Sequence, residues 1–434
     1  MVNGCLSQQN RESRFTKEKK GKPITMKKRM FFLLPLLVLL VPTISTAQAT
    51  FQTDYQVIDS VEESLGGLVR TVEIVQAGPN PIDRFEVVHV RHPDPSATRG
   101  SILLAPGLGT GFQAYENSDT LAYRDSFAGF LATRGFDVWG FSQRVQGLAA
   151  GTCESGAADC SVMAGWGLAQ FVADAEYVRA RIVAENPGER PVIGGQSLGG
   201  MIGLATINAN PDAYRAAIVL DAALHTKDPL YQSITAAGCQ ALSAAIDAGL
   251  YYDGQQVIGL KAANMLADVD PDGPSPIIPG MTNFQAWVFI LSVPNPGPTS
   301  PTPNFIFDAG NWMNGTLTYA DPALLHGLFY GFVDYLTFAS VRDVNCSAAG
   351  LDGGMFISNL AAFDGPVFAI ANGSGFDTMV NDTLSLMPNA SVTLLTYPDY
   401  GHVDHMVATD HLNRLEMPLL QWLATDAFAP VPGE

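Results

Sequence analysis

From residue 68 onward the chain alternates between short, nearly unbroken apolar runs and longer segments whose apolar positions recur every three or four residues. The two periods separate strand from helix, because side chains alternate faces along a strand but share one face at i, i+3 and i+4 along a helix. Residues 68–75 (LVRTVEIV) and 84–90 (RFEVVHV) predict an opening antiparallel pair. Residues 101–105 (SILLA), 136–141 (FDVWGF), 191–193 (PVI) and 216–220 (AAIVL) are apolar almost throughout, as strands covered on both faces must be. Helical spacing over 121–133 and 166–184 falls between them, and another helix is predicted from Met201. This alternation predicts an α/β fold, a mostly parallel central sheet with helices on both faces.

The rhythm breaks after Asp221. Proline-rich runs at 271–279 and 294–303 and aromatic helical pieces at 284–293 and 328–338 replace it, without internal repeats. Strand and helix signals return at 366–371 (PVFAIA), 391–397 and in a final helix over 406–423. The predicted organisation is a core in two parts, 50–222 and 366–434, interrupted by an inserted domain over 223–365.

Residues 1–49 stand apart from this core. Lys27, Lys28 and Arg29 precede an apolar run over 31–41, and Ala47-Gln48-Ala49 offers a small-x-small cleavage site, the order of a secretory signal with Met26 as the start. The run is too short to span a bilayer comfortably, so no stable membrane span is expected after cleavage. The expected location is secreted or periplasmic. Nine Lys or Arg face only Glu12 and Glu18 in this segment, so its removal takes the formal charge from −18 to about −25. Such a surface repels nucleic acid and suits a neutral or apolar small-molecule substrate. Cys5 leaves with the leader. Cys153, Cys160, Cys239 and Cys346 remain, an even number that predicts two disulfides in an exported chain; 153 with 160 and 239 with 346 is the expected pairing.

The chemistry concentrates at Gly194-Gly195-Gln196-Ser197-Leu198-Gly199-Gly200, which lies between an apolar strand and a helix. A serine on that turn is forced into a strained conformation with its hydroxyl outward, making Ser197 the candidate nucleophile. The glycine-rich loop from Pro106 to Phe112 offers backbone N–H groups for a developing oxyanion, assigned to Leu108 and to Leu198. A hydroxyl needs a base, and His402 at the tip of the turn after residues 391–397 fits better than His405, which begins the last helix. Asp377, in the loop after residues 366–371, is the candidate third member; Asp221 is the alternative, and Asp382 a remote one. His402, Asp404 and His405 lack further ligands at metal spacing, so neither metal nor cofactor is expected.

Together these segments resemble the α/β-hydrolase superfamily in its serine esterase and lipase branch. The resemblance covers most of 65–222 and 366–425, through the PG-x-G loop, the F-D-V-W strand followed by Arg144, the G-Q-S-L-G-G elbow, the G-x-x-x-D loop and the G-H-x-D turn. The oxyanion loop begins Pro-Gly where many relatives have His-Gly. The resemblance implies an α/β-hydrolase fold with 223–365 as a cap or lid, in which Phe284 and Trp287 would line a substrate pocket or pack the cap's own core. It also implies hydrolysis of a small-molecule or lipid-like carboxylic ester through an acyl-enzyme. An acyltransferase or a non-catalytic binding protein on the same fold are the rival readings.

Overall fold

The computed structural model describes residues 55–116, 122–292 and 316–429. The predicted leader, with Cys5 and Met26, and the proline-rich run 294–303 lie outside the described residues. The chain runs β1 (Gln56–Leu65), β2 (Leu68–Gln76), β3 (Arg84–Arg91), β4 (Gly100–Leu104), the short α1 (Gln113–Glu116), α2 (Phe127–Ala132), β5 (Phe136–Phe141), α3 (Leu168–Glu185), β6 (Val192–Gln196), α4 (Leu198–Ala209) and β7 (Ala216–Leu220). The insertion follows with α5 (Pro229–Asp247), β8 (Tyr252–Asp253), α6 (Gln255–Val269), α7 (Asn283–Ser292), α8 (Pro322–Tyr330), β9 (Leu336–Thr337) and α9 (Phe338–Ala348). The core resumes with β10 (Pro366–Asn372), α10 (Asp377–Leu384), β11 (Ser391–Tyr397), α11 (Asp404–Val407) and α12 (Met417–Trp422).

Nine strands form one sheet in the order β1-β2-β3-β5-β4-β6-β7-β10-β11. The pairs β1/β2, β2/β3 and β3/β5 are antiparallel, and every pair from β5 to β11 is parallel. From β4 the chain first goes to β5 on one side and then crosses to β6 on the other, so β4 and β6 flank a topological switch point. In open parallel sheets such a point, at the carboxyl ends of the strands, is where ligands bind. Period-two alternation fills both faces. Leu103, Ile193, Ala217, Val219 and Ala369 pack beneath α3 and α4, while Ile102, Leu104, Val192, Ile218 and Ile370 pack against α2 and α12. Arg144, just past β5, is fully buried and bidentate to Asp174 of α3 (3.0 and 2.7 Å), with Asp83 as a second partner.

Three sequence expectations need correction. The opening antiparallel unit has three strands, because β1 pairs with β2 although its side chains are exposed on both faces. A strand without a covered face carries no hydrophobic alternation to read. The aromatic run 328–338 is not a helix: Asp321 caps α8 by accepting from the Ala323 and Leu324 N–H groups, α8 ends at Gly331, and β9 intervenes before α9. The final helix is broken at Ala408–Asp410 and widens into π-helical turns on both sides of α12.

Cys153 is joined to Cys160 and Cys239 to Cys346, across sequence separations of 7 and 107. The second bridge ties α5 to α9. In the chain-entropy picture the long loop is worth about 4–5 kcal/mol and the short one about 2–3. Removing the Cys239–Cys346 pair by Ser substitution should therefore lower the melting temperature more than removing Cys153–Cys160, as followed by circular dichroism.

His89 of β3 stacks on Trp139 of β5 at 3.8 Å, and burial, with Arg91 and Arg181 nearby, pushes its pKa down to about 3. His405 in α11 is fully buried and likewise pushed down to about 3, by burial and by His402. The unfolded chain protonates both near 6.5, and the folded chain refuses the proton until about 3. Their stabilising effect is thus complete above pH 6.5 and is lost progressively as pH falls below it. Denaturant midpoints measured between pH 7 and 4 should fall, and His89→Phe should flatten that slope.

Candidate active site

Ser197 caps α4 with φ 56° and ψ −124°. Among the described residues only Ser197 and Asp221 combine a side chain with positive φ, and both sit at the carboxyl ends of neighbouring parallel strands, β6 and β7. The turn is possible because Gly195 and Gly199 have no Cβ: one on either would strike the Ala105 carbonyl and crowd the Tyr115 hydroxyl. Tyr115 is the buried brace of this corner. Its hydroxyl donates to the Ala105 carbonyl (2.7 Å) and accepts from the Gln196 N–H (2.9 Å), linking the end of β4 to the elbow on β6. The Ser197 N–H donates to the Leu220 carbonyl (3.0 Å), which closes the elbow onto β7.

The loop after β4 is held by its carbonyls. Gly107 O accepts from Gln143 Nε2 (2.5 Å) and from the Thr110 hydroxyl (3.0 Å). A trans peptide is planar, so fixing the Gly107 carbonyl also fixes the direction of the Leu108 N–H on its opposite side. Leu198, the first residue of α4, has an N–H without an intrahelical acceptor, beside the positive end of the helix.

His402 is buried, and its Nδ1 lies 2.6 Å from Asp221 Oδ2. That contact assigns the ring proton to Nδ1 and leaves Nε2 as the lone pair, which receives the Gln196 side-chain amide at 3.1 Å. Phe376 packs edge-on against the ring. Asp221 is wholly buried. Its Oδ1 accepts from the Asn372 N–H (2.9 Å), and the Phe376 N–H lies 3.2 Å from both of its oxygens. The side chain of Asn372 donates to the Gly401 carbonyl (2.8 Å) and meets His405 Nδ1 (2.8 Å), pinning the turn that carries His402.

The imidazole's carboxylate partner is therefore Asp221, where the sequence reading put Asp377. Asp377 opens α10, half-buried, its carboxyl pushed up by burial and by the charge of Asp221. Residues 372–376 deliver N–H groups to a carboxylate from β7 instead of supplying a carboxylate, and a Cβ at Gly375 would collide with Asp221 Oδ2. Asp382 accepts from the Lys227 N–H (2.7 Å). Trp287 follows the packing alternative, not the pocket one: it is fully buried in the insertion's own core and stacked on His326 at 4.3 Å, with Phe284 packed against the same cluster. Asp221 had a legible signal, an acid directly after an unbroken apolar strand. Tyr115, Gln143 and Asn372 had none, since their roles arise only when distant segments meet. Among the described residues no group of three or more His, Cys, Asp or Glu side chains is placed to hold a metal ion, and no helix is long and apolar enough to cross a membrane.

The family model described as serine aminopeptidase, S33, matches residues 92–257. No curated protein sequence matches the chain. Among solved structures, a putative lipase from Sulfolobus solfataricus superposes with a TM-score of 0.58 at 18% identity, covering 85% of this chain and 98% of that one. A soluble variant of monoglyceride lipase from Saccharomyces cerevisiae gives 0.44 at 16% identity over 86% and 97%, too distant to bear on the argument. The fold is the α/β-hydrolase fold, with a large, mostly parallel sheet and an insertion. The chain thus has the fold of the α/β hydrolases, and the family model over 92–257 supports a serine hydrolase on that fold.

The two acids give opposite outcomes on substitution. Asp221→Asn should keep the fold and cut turnover by on the order of 10⁴-fold, since the imidazole loses both its orientation and its counter-charge. Asp377→Asn should stay within about three-fold of the parent, as surface-near substitutions away from the machinery usually do. Steady-state kinetics on any accepted substrate decides between them.

Proposed function

We propose that the chain is an exported serine hydrolase that cleaves carboxylic esters bearing an apolar portion, with Ser197 as nucleophile, His402 as base and Asp221 as the orienting acid. The observation that carries this reading is the coincidence of the strained serine on its elbow with a buried imidazole whose Nδ1 lies 2.6 Å from a buried carboxylate. Nε2 of His402 exchanges the Gln196 amide for the Ser197 hydroxyl and takes its proton as Oγ attacks the carbonyl carbon. The oxyanion collects on the Leu108 and Leu198 N–H groups. Asp221 stabilises the imidazolium, and neutral His405 beside it adds no opposing charge. The imidazolium then protonates the leaving alcohol, and water repeats the sequence to free the acid.

Residues 223–365 act as the cap in this reading, over the core of 50–222 and 366–434. Export is supported by two disulfides, which persist in oxidising compartments, and by the basic–apolar–small order of residues 1–49. The apolar preference is supported by half-buried Leu108 in the oxyanion loop and by Phe376 against His402.

A fluorophosphonate probe should label the protein at Ser197, located by mass spectrometry, and Ser197→Ala should abolish labelling. Ser197→Ala and His402→Ala should each lower turnover of p-nitrophenyl esters by on the order of 10⁴-fold or more, with the double variant little worse. Labelling that persists without Ser197 would overturn the nucleophile. A panel of esters of increasing acyl length, run with and without acceptor alcohols, separates hydrolysis from acyl transfer.

A further inference from the structure

The loop that presents the Leu108 N–H is gripped from two sides, and one of them is not the core. Gln143 and Thr110 hold the Gly107 carbonyl. Two residues further on, the Gly109 carbonyl accepts from the Val333 N–H at 2.8 Å, and Thr110 forms a backbone bridge with Phe332. Val333 and Phe332 belong to the insertion, in residues 331–337 between α8 and α9. Gly109 adopts φ 75°, and a Cβ there would press on Leu336 of the same segment. The oxyanion loop thus lies against the insertion through backbone as well as side chains.

This segment is itself anchored at a distance from the nucleophile. The Tyr335 hydroxyl accepts from the Cys153 N–H (3.2 Å) and donates to Glu154 (2.8 Å). Asp334 accepts from the Ala150 N–H (3.1 Å) and pairs with Lys261 of α6 (2.6 Å). Val333, Tyr335, Leu336, Cys153 and Cys160 share one hydrophobic cluster. The Cys153–Cys160 disulfide closes the loop that makes these contacts.

We infer that residues 331–337 form a strap that positions the oxyanion loop for catalysis, with Tyr335 as a positioning residue and the Cys153–Cys160 loop as its anchor. This rests on Ser197 being the nucleophile and Leu108 an oxyanion donor. The chain of contacts runs from the disulfide to Cys153 N–H, Tyr335, Val333 and Gly109, and ends two peptides from the Leu108 N–H. A donor displaced by a fraction of an ångström weakens the transition state and leaves ground-state binding nearly unchanged, so the effect belongs in kcat.

The test uses Tyr335→Phe, which removes one hydroxyl and keeps the buried ring, C153S/C160S, which opens the anchor, and C239S/C346S as a control. The control's bridge joins α5 to Cys346 near the far end of α9, nine residues beyond Thr337 at the end of the strap. Kinetics on a short-chain p-nitrophenyl ester, the fluorophosphonate labelling rate and melting temperatures are recorded for each. The expected result is a loss of kcat of on the order of ten-fold in Tyr335→Phe and C153S/C160S, with KM within about three-fold and labelling slowed in parallel. Combining the two should add little, because they act on one chain of contacts. Dithiothreitol should lower kcat in C239S/C346S but not in C153S/C160S. Unchanged kcat in both test variants, a loss confined to KM, or an equal kcat loss in the control would overturn the inference. Failure of the underlying reading shows separately, as labelling that survives Ser197→Ala; if C153S/C160S does not fold, Tyr335→Phe decides alone.

Discussion

A carboxyl group with no solvent exposure sits at the end of β7, and much of the site is arranged around giving its oxygens partners. Burying an isolated charge costs several kcal/mol even after the protein relaxes, so Asp221 requires partners on both oxygens. It has them: the Asn372 and Phe376 N–H groups and His402 Nδ1. Those three donors come from two segments: the end of β10, which pairs with β7, and the turn after β11. The loop after β10 must bend so that two N–H groups face inward, which leaves no room for a side chain at Gly375. The turn after β11 must place His402 over Asp221, and Asn372 fixes that turn through the Gly401 carbonyl. Demand for charge compensation thus sets the geometry of three loops at once.

Strain enters at two points on adjacent strands. A non-glycine residue at positive φ costs on the order of 1–3 kcal/mol and persists only where its surroundings over-determine it. For Ser197 the determinants are the parallel register of β6 between β4 and β7, the bond to Leu220, and the Tyr115 hydroxyl wedged behind the elbow. For Asp221 they are the three donors just described, with its own N–H bonded to the Ile370 carbonyl (2.9 Å). The switch point between β4 and β6 brings the glycine-rich loop after β4 next to the elbow that carries Ser197 without further design, because both leave the sheet at its carboxyl edge.

The parallel strands were legible because each is buried on both faces and reads as an unbroken apolar run, and the elbow because glycine spacing reports a steric demand. That the four cysteines form two bridges was legible from their even number after a leader-like segment; which of the three pairings they adopt was not. What could not be read shares one cause, dependence on tertiary context. β1 has no buried face, so its pairing leaves no trace in hydrophobic period. The choice between Asp377 and Asp221 turns on which strand end the imidazole approaches, and both acids follow an apolar strand. Phe284 and Trp287 look alike whether they line a cleft or pack a core; the stack of Trp287 on His326 belongs to the insertion's own core.

That core also changes how the insertion is understood. Its apolar cluster includes Val403 and Val407, so the residue next to His402 is packed into it. The Asp321 N–H donates to the Val407 carbonyl (2.7 Å), Ala320 bridges Ala408, and the Thr409 N–H donates to the Tyr319 carbonyl (3.0 Å). A second part of the insertion bonds Gly109 in the oxyanion loop. Swinging the whole insertion away as a rigid lid would break backbone bonds to both loops at once and leave their polar groups to find new partners, each at a cost of about 1–3 kcal/mol where no water replaces the bond. An attachment of that kind favours a fixed roof over a hinged cover. Under the proposed function, substrate preference and transition-state geometry would then be coupled, since the segment bonded to the proposed oxyanion loop also holds it in place.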